Sequence, residues 1–452
     1  MFLLIQPRSP WGEHIYLPNG LLAVAARLEF AGIKWKLIDE NLKQDLHDYR
    51  ADLARADTVG IGCLGPPYVS EVIRVTREVR ALGFNGHIMI GGELVKRLSQ
   101  EQFDRIFAID DQVMVAADED ALASYIGQTI PSIFHLSIAD TLTSLSDDML
   151  QAYFRKEWCL FTSQGCIYNC NFCAATKRVK ERFRSIDAIE DEAEALAWMV
   201  GRFAGTSPNY EVYCSTLDGF QTPERMSETL FTVSSVMESH GINLPLRFLA
   251  TAKTIVSSES RFPGIARRFR KFGVGCVGIG VDGDDPAAWA RENKRHNSRS
   301  TVSKAFSLLK HADIQPEAFM VIGLPQDNFR AVIKSSLACF RFAFKGIRPR
   351  PYLGKSGVPG SAAWGTDEKL TEMLLSNPVL FREFEYAGLG SRVTHPDPWQ
   401  RRITNTAFMA TCLGLRATRL GCTTQPLLPS ESGPALMQLL AHAWNSRMPQ
   451  DR

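Results

Sequence analysis

Residues 160–173 of the chain read LFTSQGCIYNCNFC, and this stretch holds three of its ten cysteines. Cys166, Cys170 and Cys173 are spaced by four and three residues, so their thiolates can face one centre from a single tight loop. A structural zinc site normally has four protein ligands, whereas no further Cys or His follows within twenty residues. The pattern therefore predicts a metal centre with one open coordination position. A zinc site and a chance cluster of buried thiols are the alternatives.

The cysteine loop follows the first of six predicted strands. The apolar runs that predict these strands lie near Leu160, Val212, Phe248, Val277, Phe319 and Tyr352. Segments with helical spacing separate them, among them Ile186–Trp198, Val302–His311 and Phe329–Phe344. Strand–helix repeats of this length favour a partial (β/α)6 barrel over residues 157–365.

Residues 1–127 show the same alternation on a smaller scale. Short apolar runs alternate with amphipathic segments, which predicts βαβ units and a doubly wound, Rossmann-like parallel sheet. The predicted strands are Phe2–Ile5, Trp35–Ile38, Thr58–Ile61, His87–Ile90 and Gln112–Val115. Such sheets bind ligands beyond the carboxyl ends of their strands, which here lead into Gln6–Asn19, Gly62–Pro67 and Gly91-Gly92.

Two further regions complete the chain. Residues 128–156 contain Pro131 and many Ser and Thr without a clear repeat, so they are predicted to be a linker. Residues 366–452 have a mostly helical pattern. The predicted fold class is therefore α/β: an N-terminal doubly wound sheet, a partial barrel and a helical C-terminal region.

Composition and charge exclude several classes of protein. Of the 452 residues, 45% are hydrophobic and 22% charged, as in a folded globular protein and unlike a disordered one. The formal net charge of +2 lacks the positive excess of a dedicated nucleic-acid binder. The opening residues MFLLIQPRSPW have too few apolar positions for a signal peptide, and no long uncharged apolar stretch follows. We expect a cytoplasmic protein.

At the cysteine loop the sequence resembles the radical SAM enzymes. Their signature is Cys-x3-Cys-x2-Cys with an aromatic residue before the last Cys, and Cys166, Cys170, Phe172 and Cys173 match it. The resemblance implies a [4Fe–4S] cluster held by the three thiolates, with its open iron bound by the amino and carboxyl groups of S-adenosylmethionine. It also implies that Phe172 packs near the adenine, and that cleavage of S-adenosylmethionine yields a 5′-deoxyadenosyl radical.

Two acidic residues later in the chain extend the resemblance. Asp218 ends the second barrel strand, where the family places groups that hold the methionine amino group, although the Gly-Gly-Glu-Pro form of that motif is absent. Asp282 follows Gly278 and precedes Asn293-Lys294, a pattern of many members, which implies contact with a ribose hydroxyl. Helix capping is the alternative role for Asp282.

A doubly wound domain before such a barrel resembles the cobalamin-binding subgroup of radical SAM enzymes. In that subgroup the corrinoid lies over the strand ends, which implies contacts with Gly91 and Gly92 along its nucleotide tail and with Leu64 at its lower face. The His-on motif Asp-x-His-x-x-Gly is absent after the first strand, as in many members of the subgroup. A simple turn at Gly91-Gly92 and a domain that holds no cofactor are the alternatives.

The resemblance implies cobalamin-dependent methyl transfer to an unactivated carbon of a small biosynthetic intermediate. A cobalamin-independent radical oxidation, rearrangement or ring formation is the alternative. Modification of transfer RNA ranks lower, because the sequence has no second Cys cluster and residues 367–452 are not strongly basic. The implied partners are a small-molecule substrate and an electron donor such as flavodoxin or ferredoxin, with no membrane or nucleic-acid partner. No residue is predicted to be a catalytic acid or base.

Overall fold

Five short apolar segments near the N-terminus form a parallel sheet. Its strands are β1 (Phe2–Gln6), β2 (Trp35–Asp39), β3 (Thr58–Gly62), β4 (His87–Gly91) and β5 (Val113–Ala116), in the order β2-β1-β3-β4-β5. Alternate residues of β1 face opposite sides: Phe2 and Leu4 enter one apolar core, and Leu3 and Ile5 enter the other. The predicted doubly wound sheet is confirmed, because the chain covers both faces of this sheet.

The computed structural model describes residues 1–9, 16–107, 109–116, 118–155, 158–175, 178–203, 211–324, 327–355, 357–362, 364–366, 368–384 and 397–418. Helices connect the strands of the first sheet, as parallel pairing requires, and one more helix follows its last strand. They are α1 (Asn19–Phe30), α2 (Arg50–Leu53), α3 (Val69–Ala81), α4 (Gln100–Phe107) and α5 (Glu119–Ile126).

The region predicted to be a linker contains two short helices, α6 (Ala139–Thr143) and α7 (Asp147–Phe154). Ser146 begins α7, because its side chain accepts a hydrogen bond from the Met149 N–H. Tyr153 is almost fully buried, and its hydroxyl donates to Asp39 Oδ2 at 2.7 Å. The apolar side of α7 joins the core that continues into the barrel, so this segment packs against the first domain.

Six further parallel strands form the second sheet and confirm the predicted partial barrel. These strands are β6 (Trp158–Phe161), β9 (Val212–Ser215), β10 (Leu246–Ala250), β11 (Val274–Gly280), β12 (Gln315–Ile322) and β13 (Arg348–Leu353), in the order β13-β12-β11-β10-β9-β6. Two short strands, β7 (Ser163–Gln164) and β8 (Arg182–Phe183), form an antiparallel pair after β6. The connecting helices are α8 (Ile186–Phe203), α9 (Pro223–Ser239), α10 (Ala252–Arg261), α11 (Ile265–Lys271), α12 (Pro286–Arg291), α13 (Arg299–His311) and α14 (Phe329–Phe344).

The described part of the C-terminal region is helical, as predicted. It consists of α15 (Glu368–Ser376), a 3-10 turn (Pro378–Phe384) and α16 (Pro398–Ala417). Leu374 of α15 and Phe381 of the turn are buried in the apolar core of the first domain that contains Leu3 and Ile5. Glu372 of α15 forms an ion pair with Arg105 of α4. The helix α16 instead packs on α14 of the barrel. The C-terminal region therefore contacts both domains.

Candidate active site

The cysteine loop begins where the short strand β7 ends, at the carboxyl edge of the second sheet. Cys166, Cys170 and Cys173 are all half-buried. Gly165, which precedes the first cysteine, has a φ of 116°, and a Cβ atom on it would lie 2.7 Å from the carbonyl oxygen of Lys180. Only glycine fits there, because the returning chain passes so close to its Cα.

Hydrogen bonds from three other segments hold the loop: the end of β9, the residues around the end of α12, and the segment after β13. These bonds run from Ile167 N–H to Gln221 Oε1 (2.9 Å), Asn171 N–H to Glu292 O (2.9 Å), Asn171 Nδ2 to Arg291 O (2.8 Å), Asn293 Nδ2 to Asn169 O (2.8 Å) and Ala362 N–H to Asn171 O (2.8 Å). None of them uses a thiol. The shape of the loop is therefore fixed mainly by amide groups, and within the loop the Ala175 N–H donates to Cys173 Sγ at 3.4 Å.

The three Sγ atoms do not all lie within 4.8 Å of one another. Among the described residues, one set of three His, Cys, Asp or Glu residues has its ligand atoms within 4.8 Å of one another. That set is Asp45, His47 and Glu78, on the surface of the first domain. At least one pair of the cysteine Sγ atoms is therefore further apart. Two sulfur ligands of one tetrahedral zinc ion lie about 3.8 Å apart, given a Zn–S bond of about 2.3 Å. The wider spacing fits a cluster in which each thiolate binds a different iron atom.

Burial controls the ionisation of these cysteines. It raises the pKa of Cys166 to about 11, and the nearby Asp218, Cys170 and Cys173 raise that pKa as well. A thiol in such surroundings loses its proton only when a cation compensates the new charge. The loop is thus built to ionise on binding a metal centre.

Lys294 places a positive charge beside the cysteine loop. Its buried side chain forms an ion pair with Asp282, and its Nζ lies 5.7 Å from the centre of the Phe172 ring. Burial disfavours the charge on Lys294, but Asp282 and the loop thiols outweigh that effect and raise its pKa. Asp282 does not cap α12, because the residue at that N-cap is Asp285. The predicted contact of Asp282 with a ribose stays a prediction.

Asp218 is fully buried three residues after the end of β9, and its charge acts on Cys166 of the cysteine loop. Its Oδ1 accepts hydrogen bonds from Thr254 Oγ1 at 2.8 Å and from the N–H groups of Thr251 and Phe220 at 3.3 Å. Its Oδ2 is buried and has no hydrogen-bond partner among the described residues. Burial raises the pKa of Asp218 from 3.8 to about 7 in spite of the donors on Oδ1. The free oxygen is therefore suited to a ligand that brings a hydrogen-bond donor.

Three other residues lie at the site although the sequence interpretation did not assign them to it. The ring of Tyr168, inside the cysteine loop, stacks on His296 with centroids 3.8 Å apart and an angle of 22°. Burial and the charge of Lys294 lower the pKa of His296 to about 4, so its ring is neutral at pH 7. The third is Glu181, which precedes β8. Tyr168 could have been found from its place between two cysteines, whereas no pattern marks Glu181.

The residues predicted to contact cobalamin lie at the carboxyl edge of the first sheet. Leu64 follows β3 and is 65% exposed, while Gly91 ends β4 and Gly92 comes next. Gly92 has a φ of 126°, and a Cβ atom on it would lie 2.3 Å from the carbonyl oxygen of Cys63. Close packing of two strand ends therefore accounts for Gly92 by itself. The role of all three residues in binding cobalamin stays a prediction.

One segment after β13 joins the carboxyl edges of the two sheets. A Cβ atom on Gly360, in this segment, would lie 2.9 Å from Arg97 Cδ and 3.4 Å from the carbonyl oxygen of Ala174. Arg97 lies shortly after β4 of the first domain, and Ala174 directly follows the last cysteine of the loop. Gly360 therefore lies between the end of the cysteine loop and Arg97, which follows the edge predicted to bind cobalamin.

Residues 160–335 match the family model of the radical SAM superfamily. This span begins in β6, includes the whole cysteine loop and ends within α14. The chain contains a radical SAM domain. Its three cysteines, spaced as in the family signature, lie where the sequence resemblance placed them, after the first strand of the barrel.

Solved structures with the same fold include two enzymes whose structures contain cobalamin. The radical S-adenosylmethionine methyltransferase TsrM from Kitasatospora setae, with cobalamin and a [4Fe–4S] cluster bound, has a TM-score of 0.59 at 15% identity, over 80% of this chain and 76% of TsrM. TsrM with tryptophan substrate and aza-SAM bound has a TM-score of 0.58 at 16% identity, over 80% of this chain and 74% of TsrM. The cobalamin-dependent S-adenosylmethionine radical enzyme OxsB, with aqua-cobalamin bound, gives 0.59 at 14%, over 94% of this chain and 62% of OxsB.

At these identities the likeness to TsrM and OxsB extends to the fold: a doubly wound sheet followed by a radical SAM barrel. No curated protein is significantly similar to the chain in sequence. Within the described residues, no helix combines the length and the apolar character needed to span a bilayer.

Proposed function

We propose that the protein is a cobalamin-dependent radical SAM methyltransferase that methylates an unactivated carbon of a small biosynthetic intermediate. The observation that carries this proposal is the cysteine loop at the carboxyl edge of the radical SAM domain, joined through Gly360 to the carboxyl edge of a doubly wound sheet. The fold likeness to TsrM and OxsB, both solved with cobalamin, supports the same assignment.

The site has a group for each part of the proposed cofactors. Cys166, Cys170 and Cys173 offer thiolates for a [4Fe–4S] cluster, and Phe172 offers an aromatic ring for adenine. Asp218 and Asp282 offer carboxylates for the amino group and the ribose of S-adenosylmethionine. When bound, the cluster supplies the electron that cleaves the sulfonium of S-adenosylmethionine, and cobalamin serves as methyl carrier. The electron must come from a partner, for which we propose a flavodoxin or a ferredoxin.

The chain's own contribution is orientation and the exclusion of water. Lys294 offers a buried positive charge on the β11 side of the loop, and on the β9 side Asp218 offers an oxygen that no described residue hydrogen-bonds. The amino acid end of S-adenosylmethionine carries both charges, so it complements this arrangement. The segment around Gly360 and Ala362 packs against the loop on the side of the first domain.

In the first domain, the proposed corrin site is the edge that contains Leu64, Gly91 and Gly92. A corrin ring over this edge would cover the exposed side chain of Leu64 and so remove apolar surface from water. Leucine has no atom that can bind cobalt. We therefore propose cobalamin bound without a side-chain ligand from this position, in agreement with the absence of the His-on motif.

Anaerobic reconstitution tests the cluster. The protein, supplied with iron and sulfide and then desalted, is expected to hold about four iron atoms per chain. Replacement of Cys166, Cys170 or Cys173 by Ala should abolish this, whereas C412A, which removes a half-buried thiol of α16, should keep it. Iron that is retained equally by all four variants would refute the assignment of the loop.

Supply of hydroxocobalamin in the same preparation tests the second cofactor. Corrinoid absorption that survives desalting, together with transfer of a labelled methyl group from S-adenosylmethionine to a small acceptor, is the expected result. Iron without corrinoid would refute methyl transfer through cobalamin. It would favour instead a radical oxidation, rearrangement or ring formation on a small molecule.

A further inference from the structure

One face of the second sheet is covered by helices, and the opposite face lines the inside of the barrel. Phe248, Ala318 and Met320 are buried in the core that the sheet shares with its connecting helices. Leu249 and Phe319, which alternate with them along β10 and β12, are half-buried. Successive side chains of a strand point to opposite faces, so Leu249 and Phe319 point into the barrel. Their exposure shows that solvent reaches the interior of the barrel.

Two stacked aromatic rings and an arginine line this interior. The rings of Phe319 on β12 and Tyr352 on β13 are nearly parallel, at an angle of 6°, with centroids 5.5 Å apart. Arg350 precedes Tyr352 by two residues in β13, so it lies on the same face. Its Cζ is 5.9 Å from the centre of the Phe319 ring. The interior therefore offers flat apolar surface beside a guanidinium group.

The charges in this part of the barrel do not balance. Glu317 is 0% exposed, and its Oε1 accepts a hydrogen bond from Arg350 Nη2 at 2.7 Å. Its Oε2 accepts from Arg247 Nε at 3.2 Å, so two arginines share one carboxylate. The charges of Glu211 and Arg348, which act on the same region, cancel each other. One positive charge remains, and a charge removed from water without a partner is costly, so the interior favours an anion.

Arg350 retains hydrogen-bond donors for such an anion. A guanidinium group has five N–H donors, and among the described residues Glu317 is the acceptor for that of Arg350. Arg350 Nε is buried and has no hydrogen-bond partner within the described ranges. The planar fork of a guanidinium matches the two oxygens of a carboxylate. A single excess charge suits a monoanion such as a carboxylate better than a phosphate dianion.

Arg350 lies within the length of one small molecule from the cysteine loop. Gly280 of β11 pairs in register with Phe319, which pairs in turn with Arg350. Neighbouring strands are about 4.8 Å apart, so Gly280 and Arg350 are separated by about 10 Å across the sheet. A Cβ atom on Gly280 would lie 3.1 Å from Lys294 Nζ, which lies over the Phe172 ring of the loop. The arginine therefore faces the space below the proposed cofactor site.

We propose that Arg350 binds a carboxylate group of the substrate and that Phe319 and Tyr352 pack against a planar part of the same molecule. The inference rests on the proposed function and deepens it, because it names the substrate class: a small planar carboxylic acid. Arg350 is then a residue that determines specificity, and it takes no part in the chemical step.

The test compares two planar acids with their own neutral amides: 2-naphthoate with 2-naphthamide, and phenylacetate with phenylacetamide. Their binding to the reconstituted protein is measured by anaerobic calorimetry. The wild type should bind at least one acid about tenfold more tightly than its amide, because hydrogen bonds between charged groups are the stronger ones. R350Q can still donate to Glu317 but lacks the charge, so it should bind acid and amide about equally. R350K keeps the charge and should retain part of the preference.

The matched control is R330Q, the same change on the exposed surface of α14, which should keep the wild-type ratio of the two affinities. A wild-type ratio in R350Q would refute the role of Arg350 and would point to Lys294 as the group that holds the acid. Equal weakening of acid and amide in R350Q would show a structural role and would also refute it. A wild type that prefers neither acid, or binds none of the four probes, would refute the substrate class. The proposed function is judged separately, by iron and corrinoid retention in the same preparation.

Discussion

The ion pair between Lys294 and Asp282 allows a direct test of how the site is built. Replacement of Lys294 by Met keeps most of the side-chain volume and removes the charge. Lys294 is 4% exposed and Asp282 is 8% exposed, so water cannot replace the lost ammonium. The change therefore leaves a buried carboxylate without its partner, and it also removes the contact of Nζ with the Phe172 ring.

The expected cost follows from this burial. Removal of one partner of a buried ion pair typically costs about 3–5 kcal/mol, because the remaining charge is desolvated without compensation. The cation–π contact adds about 0.5–2 kcal/mol. We expect K294M to lower the free energy of unfolding by about 3.5–7 kcal/mol. The double variant K294M/D282N should lose clearly less than the sum of the two single changes, since it leaves no unpaired charge.

The assay is urea unfolding of the cofactor-free protein at pH 7.5 for the wild type, the two single variants and the double variant. K253M, the same change at an exposed lysine of α10, is the control and should lie within about 0.5 kcal/mol of the wild type. A cost below about 1 kcal/mol for K294M, or strict additivity in the double variant, would refute the reasoning. Iron retention against a chelator should also fall in K294M, because the positive charge beside the thiolates is lost.

Two further predictions concern the first domain and the free carboxylate. L64D should reduce corrinoid retention at least tenfold without lowering the melting temperature of the cofactor-free protein. The control is L337D, at a leucine of α14 that is 60% exposed, and it should leave both corrinoid retention and the melting temperature unchanged. Equal corrinoid retention in the two variants would contradict the proposed corrin edge. The raised pKa of Asp218 means that the folded state keeps a proton that the unfolded state loses, so the cofactor-free protein should lose stability as the pH rises from about 4 to about 7. D218N should remove that loss and raise the melting temperature at pH 8, and parallel pH profiles for the two proteins would contradict this.

Most of the fold was predictable because both sheets are parallel and covered by helices. A strand buried on both faces leaves a continuous apolar run in the sequence, and helices of a dozen residues leave a visible repeat. The strand β1 was predicted within one residue, and the bounds of α14 were predicted without error. The helices α6 and α7 were missed because they have five and eight residues, too few for a repeat. Their stability comes from burial against the first domain and the barrel, which no local pattern records.

The site was predictable only where chemistry and sequence neighbourhood coincide. The cysteines are close in sequence because one loop carries them, and Asp218 could be placed because it closely follows a strand. Glu181 and Lys294 depend on tertiary contacts instead. Lys294 stands in a run of polar residues that looks solvent-exposed, yet it is buried in an ion pair with Asp282. The sequence could suggest a ribose contact for Asp282 but could not show that a lysine already holds it.

The distribution of satisfied and unsatisfied charge also bears on how a ligand is oriented. On the β11 side, Lys294 is already paired with Asp282, so an anionic group there must share a lysine that is partly neutralised. On the β9 side, Asp218 Oδ2 is buried and has no hydrogen-bond partner among the described residues, so a cationic group is favoured there. The cationic end of a zwitterion therefore has more to gain at this site than its anionic end. Loss of the ammonium group should consequently weaken binding more than loss of the carboxylate, and comparison of the deaminated and decarboxylated analogues of S-adenosylmethionine measures that difference. The opposite order of affinities would show that the buried carboxylates are satisfied by another group.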